Sequence, residues 1–105
     1  MRVYIAGPYT HGDVAQNVRA AIDAANQLMD AGHQPFTPHL SHFHHLVHPR
    51  DYEDWLALDL AWLPVCEALV VLPGYSPGTQ REIVAAAERG IPTYLSVQEF
   101  LGAVT

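Results

Sequence analysis

The sequence predicts an α/β fold, a three-layer sandwich in which a four- or five-stranded parallel sheet carries helices on both faces. Three observations predict it. Short, apolar, β-rich runs alternate along the chain with longer segments of helical period. The helical segments open on side chains able to cap them, and glycine follows two of them. The chain has 105 residues, 50 % hydrophobic and 15 % charged. That suits one domain over residues 1–105, able to bury roughly two-thirds of its unfolded surface without a disulfide or a metal.

Val3 to Ala6 reads as a buried strand stopped by Gly7-Pro8. Asp13 with Gln16 forms a capping box, and Ala15, Val18, Ile22, Ala25 and Met29 form an amphipathic stripe behind it. Gly32 stands where a helix C-terminal glycine belongs. His33 to Thr37 is a weak strand, placed at an edge by Pro35. Pro38 to Arg50 has no period, carries two prolines and holds five of the seven histidines, so it is predicted as a loop. Asp51 and Asp54 open a helix that runs to about Leu63, where Pro64 ends or kinks it. Ala68 to Leu72 is the clearest buried strand. A turn-rich segment, Pro73 to Gly78, follows, and Thr79 with Glu82 reads as a second capping box for a helix reaching Gly90. Ile91 to Ser96 is a last strand, and Ser96 with Glu99 caps a terminal helix. In such a sheet the ligand sits beyond the carboxyl ends of the strands, at the switch point. The loops that matter are therefore Gly7 to Asp13, Pro38 to Arg50 and Pro73 to Thr79.

Composition removes several functions. A formal charge of −6 argues against coating a nucleic-acid backbone. The chain has no lysine, which excludes a Schiff base and a lysine-dependent phosphate loop. The single cysteine, Cys66, cannot close an intrachain disulfide, and it is expected in the core. The apolar segment at the N-terminus is too short for a signal peptide, and no run approaches the ~20 residues of a membrane span. A cytoplasmic protein without a membrane partner is expected.

Asp59 is the only charged residue between Trp55 and Cys66, and Trp55, Leu56, Trp62 and Leu63 surround it at helical spacing. A carboxylate there must reach a partner or a cleft or stay protonated, unless the helix turns it to solvent. Desolvation would suit it to general acid work. Glu82 either completes its capping box or projects into the mouth of an anion site formed by Ser76, Pro77 and Gly78 at a helix N-terminus. Tyr4 sits mid-strand on an aliphatic sheet, where its hydroxyl needs a partner such as a carboxylate. His39, His42, His44, His45 and His48 read as structural or substrate-contacting residues, or as a metal site lacking the usual ligand spacing. His11 is placed on the pocket wall or the surface, and Trp55 and Trp62 in the core. Arg50 and Arg81 lie near the mouth, either on the surface or against phosphate.

Val3-Tyr4-Ile5-Ala6-Gly7-Pro8, then Tyr52 onward with Asp59-Leu60-Ala61-Trp62-Leu63, then Ser76-Pro77-Gly78 with Glu82, resembles the nucleoside 2-deoxyribosyltransferase superfamily. The stretch Pro38-His39-Leu40-Ser41-His42-Phe43 is similar to a small branch of it, related to 2′-deoxynucleoside 5′-monophosphate N-hydrolases. The resemblance covers essentially the whole chain. It implies a flavodoxin- or Rossmann-like fold and cleavage of the N-glycosidic bond of a nucleoside or its 5′-monophosphate, without a cofactor. Glu82 matches the nucleophile, Asp59 the acid that assists departure of the base, and Tyr4 the tyrosine that positions the nucleophile. Ser76 and Gly78 match the loop at the 5′-phosphate, and Gly7, Pro8, Tyr9, His39, His42 and Thr79 complete the expected substrate-binding set.

A retaining reaction needs its two carboxyl groups about 5 Å apart, within reach of adjacent crossover helices. Two departures stand out: Glu67 where the family carries aspartate, and Pro64 ahead of the third strand. The longer transferases also close their pocket with a segment from a neighbouring subunit. A homodimer or higher homo-oligomer is expected here, with the histidine-rich loop of a partner closing the pocket in the dimer. Two other functions fit the same residues: a nucleotide-binding sensor without turnover, and a metal-binding protein centred on the histidines. Two desolvated carboxylates favour the enzyme.

Overall fold

The computed structural model describes residues 1–104. In chain order the elements are β1 (Arg2–Ala6), α1 (Val14–Asp30), β2 (Gln34–Phe36), α2 (Ser41–Val47), α3 (Tyr52–Trp62), β3 (Ala68–Val71), α4 (Pro77–Glu88), β4 (Thr93–Tyr94) and α5 (Val97–Val104). Single 3₁₀ turns occupy Pro38–Leu40 and Leu63–Val65. All four strands form one parallel sheet in the order β2-β1-β3-β4. Tyr4 lies opposite Phe36 on one side and Leu69 on the other. This is the predicted Rossmann- or flavodoxin-like architecture, with four strands among the described residues.

The period-2 alternation of the strands separates two cores. Val3, Ile5, Ala68 and Val70 pack with Ala21, Ala24 and Leu28 of α1 and with Val97 and Phe100 of α5. Tyr4, Ala6 and Leu69 face the other way, against Leu63, Cys66 and Ala86, with Leu60 of α3 and Ile83 of α4. The helices α1 and α5 therefore cover one face, and α3 and α4 the other. Glu67 pins the entry to β1, accepting the Arg2 N–H at 3.0 Å.

Local signals placed several ends correctly. Asp13 Oδ1 accepts the Gln16 N–H at 3.1 Å and caps α1. Gly32 follows α1 at φ +87°, a region open to glycine. Its N–H and that of His33 return to the carbonyls of Met29 and Leu28. Ser96 Oγ accepts the Glu99 N–H at 2.9 Å, while Glu99 accepts from Leu95 N–H.

Four expectations are corrected. Pro38 to Arg50 is not a loop: it contains a 3₁₀ turn and α2. The cause is tertiary, since His39 is buried and anchored on Pro8, and His45 is tied to α3. On α1 the buried stripe is Val18, Ala21, Ala24 and Leu28, whereas Ile22 and Met29 are 40 % and 63 % exposed. The small alanines let the helix approach the sheet closely, so they win over the larger side chains. The last strand pairs only at Thr93 and Tyr94. Trp62 is 51 % exposed and stacks on Phe36, and Trp55 is half-buried, so neither tryptophan belongs to the core.

Candidate active site

The neighbouring strands β1 and β3 send their crossovers to opposite sides, α1 towards β2 and α4 towards β4. The segments leaving their carboxyl ends diverge and open a crevice there. A cavity of ≈ 560 Å³ fills it, within the range of small-molecule sites. Gly7 and Tyr9 come from the β1–α1 segment, His39 and His45 from the region after β2, Asp59 from α3, and Ser76 to Thr79 with Glu82 from α4. Close approach explains two glycines. A Cβ on Gly7 would stand 2.9 Å from Leu72 Cβ, and one on Gly78 would stand 2.9 Å from the Tyr52 hydroxyl.

The expected capping box at Thr79 and Glu82 does not form, because α4 begins earlier. Ser76 is the N-cap, Pro77 takes the first helical position, and Ser76 Oγ accepts the Thr79 N–H at 3.1 Å. Ser76 Oγ and Thr79 Oγ1 also share a hydrogen bond of 2.8 Å. Glu82 consequently lies in the second turn, turned inward and only 6 % exposed. Its partner is Tyr4, whose phenol, fully buried in the middle of β1, donates to Glu82 Oε2.

Burial is the main cause that pushes the Glu82 carboxyl up to about 8; the nearby Asp59 adds to the rise, and the Tyr4 hydrogen bond pulls against it. Burial likewise pushes the Asp59 carboxyl up to about 7. Tyr4 is driven far above its ordinary value by burial first and then by Glu82 and Asp59, so it remains a hydroxyl donor. The helix does not roll Asp59 to solvent; its carboxyl joins Glu82 on one cavity wall.

Of the substrate-binding set, Gly7, Tyr9, His39, Ser76, Gly78 and Thr79 line the cavity, whereas Pro8 and His42 do not line it and touch it only through His39 and Tyr9. The Pro8 carbonyl accepts from His39 Nε2 at 3.0 Å. Burial holds the His39 imidazole below its ordinary value, against the opposing pull of the Pro8 and Gly7 carbonyls. His42 Nδ1 pairs with the Tyr9 hydroxyl at 2.6 Å and so positions that side chain. Among the described residues no three of His, Cys, Asp and Glu are grouped to hold a metal ion. The histidines are spread instead over Pro8, Tyr9 and Trp55.

Both arginines at the mouth are paired with the first turn of α3, Arg81 with Glu53 at 2.8 Å and Arg50 with Asp54 at 3.3 Å. His11 lines the cavity, as one of its two readings had it. Sequence reasoning missed Tyr52, Trp55 and Leu56 as cavity residues. Their signal was present, since positions 52, 55, 56 and 59 share one face of a helix. No helix among the described residues is long and apolar enough to cross a membrane.

A solved 2-deoxyribosyltransferase from the psychrotolerant bacterium Bacillus psychrosaccharolyticus has the same fold, with a TM-score of 0.65, 20 % identity, and coverage of 89 % of this chain and 69 % of the other. At that identity the likeness establishes architecture, and function has to be argued from the site. No curated protein matches the chain. Residues 1–96 match the model of the family described as a domain of unknown function (DUF7768), and the chain belongs to that family.

Proposed function

We propose that the protein is an enzyme that cleaves the N-glycosidic bond of a deoxynucleoside or its 5′-monophosphate, by hydrolysis or by base exchange. One observation carries this reading. Two carboxyl groups, Glu82 and Asp59, face the same cavity, both desolvated, and a buried phenol holds one of them. The shared fold with a 2-deoxyribosyltransferase supports it.

Tyr4 occupies Oε2 of Glu82, which leaves Oε1 for attack on C1′ of the sugar. As the C1′–O bond forms, the C1′–N bond breaks and its electron pair leaves with the base. The Asp59 carboxyl gives its proton to a ring nitrogen of that base, so the leaving group departs neutral. The sugar is then an ester of Glu82. Water or an acceptor base attacks C1′, loses a proton to the Asp59 carboxylate, and frees Glu82 with retention at the anomeric carbon. The loop Ser76 to Thr79 receives the 5′ end of the substrate, with the N-terminus of α4 suited to a phosphate.

The protein works as a single domain in the cytoplasm and needs no cofactor or metal in this scheme. Its assembly is a homodimer, supported by Leu58, Trp62 and Val65, which are 44 %, 51 % and 46 % exposed along α3 and the turn after it. The chain's own histidine-rich segment already supplies His39 and His45 to the cavity, so a partner's histidines are not required to close it.

The test is to incubate the protein with ribo- and deoxyribonucleosides and their 5′-monophosphates, with and without an acceptor base, and to score released base and exchanged nucleoside by chromatography. Release by the wild-type protein and none by Glu82→Gln is expected. Release that survives the substitution overturns the role of Glu82. Ligand-induced stabilisation without any release, across the whole panel, would make the protein a nucleotide sensor.

A further inference from the structure

The side chains His45 and Trp55 sit together on the cavity wall, His45 from α2 and Trp55 from α3. The Trp55 indole N–H donates to His45 Nδ1 at 3.0 Å, and the backbone N–H of Arg50 donates to the same nitrogen at 3.2 Å. A ring nitrogen that accepts cannot also carry the proton, so the neutral imidazole is locked in the tautomer with N–H at Nε2. No protein acceptor is paired with that Nε2–H among the described residues. The indole is equally well fixed. His44 and His45 meet it at interplanar angles of 78° and 69°, with centroids 4.9 and 6.0 Å away. Neither imidazole stacks flat on it. Trp55 also precedes Asp59 by one helical turn on the same face of α3, and both line the cavity.

We propose that Trp55 and His45 form the subsite for a planar heterocycle, with the indole carrying the ring by stacking and His45 Nε2–H donating to a carbonyl oxygen or ring nitrogen on its edge. On the proposed function, on which this identification rests, the heterocycle is the nucleobase. The arrangement then does more than bind. Negative charge builds on the base as the C1′–N bond breaks, so the bond from His45 strengthens in the transition state while Asp59, one turn away, delivers the proton. The Arg50 backbone and the Trp55 indole act through His45, fixing its tautomer before the ligand arrives.

The test titrates the protein, in a Trp62→Phe background that leaves Trp55 as its one indole, with deoxynucleoside 5′-monophosphates and with deoxyribose 5-phosphate. Tryptophan emission and the imidazole ¹⁵N resonances are followed. His45 is expected to carry its proton on Nε2 in the free protein. Base-bearing ligands should quench Trp55 and shift that resonance, and the base-less sugar phosphate should do neither.

Trp55→Ala should weaken base-bearing ligands about tenfold or more, as for other base-stacking aromatics. His45→Asn keeps an acceptor near Nδ1 for Trp55 and Arg50 and lacks the Nε2 donor. It should melt with the parent protein yet bind base-bearing ligands about tenfold more weakly, with deoxyribose 5-phosphate unaffected. A proton on Nδ1, no quenching by any base-bearing ligand, or unchanged binding in both variants overturns the subsite. Quenching by bases with no base release from any nucleoside overturns the proposed reaction and leaves the subsite standing. Base release unaltered by either variant does the reverse.

Discussion

The Tyr4 hydroxyl donates to Glu82 Oε2 across 78 positions of the chain, joining the middle of β1 to the second turn of α4. A buried strand tyrosine and a buried helical glutamate each satisfy the polar atom that the other would leave stranded. The bond also opposes the rise that burial imposes on the carboxyl.

Tyr4→Phe removes that opposition, so the Glu82 carboxyl should titrate higher still. Less of it is ionised near neutrality, so the plateau of the rate–pH profile should drop. The falling limb, which follows the higher of the two carboxyl titrations, should move to higher pH while the rising limb set by Asp59 stays. A hydrogen bond to a charged group contributes about 1.5–3 kcal/mol, so kcat should fall roughly tenfold to a hundredfold. Base release measured across the pH range checks this; an unmoved falling limb would show that Tyr4 does not tune Glu82.

The proposed reaction needs Glu82 ionised and Asp59 protonated, while the two groups titrate at about 8 and about 7. The competent form is therefore a minority at every pH, and the profile should be a bell with its maximum between those values. Asp59→Asn removes the acid and the like charge together. A single rising limb should remain, set by Glu82 alone and lying below about 8 because Asp59 no longer holds Glu82 up, with kcat down by about 10²–10⁴. A bell that persists in this variant assigns the acid to another group.

Stability carries the same signature with a definite sign. Glu82 keeps its proton in the folded chain to about 8 against an ordinary 4.5, and Asp59 keeps its proton to about 7 against 3.8. Between those limits the folded chain binds more protons than the unfolded chain, so raising the pH costs stability. The contribution of these two groups is fullest below the ordinary values, declines through the window and levels off above about 8. Glu82→Gln has no proton to lose, so its Tm should fall less than the wild-type Tm between about pH 5 and about pH 8. Parallel Tm curves for the two proteins would falsify the buried, protonated Glu82.

Two glycines on the cavity wall should respond differently to alanine. At Gly7 the new Cβ meets Leu72 Cβ, which is fixed in the core, and overpacking of that kind costs roughly 1–3 kcal/mol. At Gly78 it meets the Tyr52 hydroxyl, the far end of a half-exposed side chain that can shift as the Leu72 Cβ cannot. Gly7→Ala should lower Tm markedly. Gly78→Ala should leave Tm near wild type and raise KM several-fold. Thermal melts and substrate titrations side by side separate the two; equal losses of Tm would contradict the difference.

Where the sequence was legible, the signal was local. The Asp13, Gly32 and Ser96 caps, the apolar run at Ala68 and the edge strand marked by Pro35 depend on neighbours within a few residues. The three site residues stood out for a related reason, each being a polar group in an apolar or loop setting that demanded a partner. The failures are cases where distant contacts decide. Pro38 to Val47 has no readable period because its turn and helix are organised by Pro8, Tyr9 and Trp55. The alanines of α1 carry little hydrophobic signal, yet they set the distance at which helix meets sheet.

By itself the sequence determined the class of fold, since alternating strand and helix periods with right-handed crossovers leave few other arrangements. It also determined that Tyr4, Asp59 and Glu82 were residues in need of an explanation. Only the tertiary structure decided that these three answer one another. The start of α4 at Ser76 rather than Thr79 turns Glu82 inward, the strand order β2-β1-β3-β4 opens the cavity between β1 and β3, and burial there raises both carboxyl groups. The physical reason is desolvation: whether a carboxyl is an acid, a nucleophile or a surface charge depends on the water around it, and packing between elements far apart in the chain removes that water.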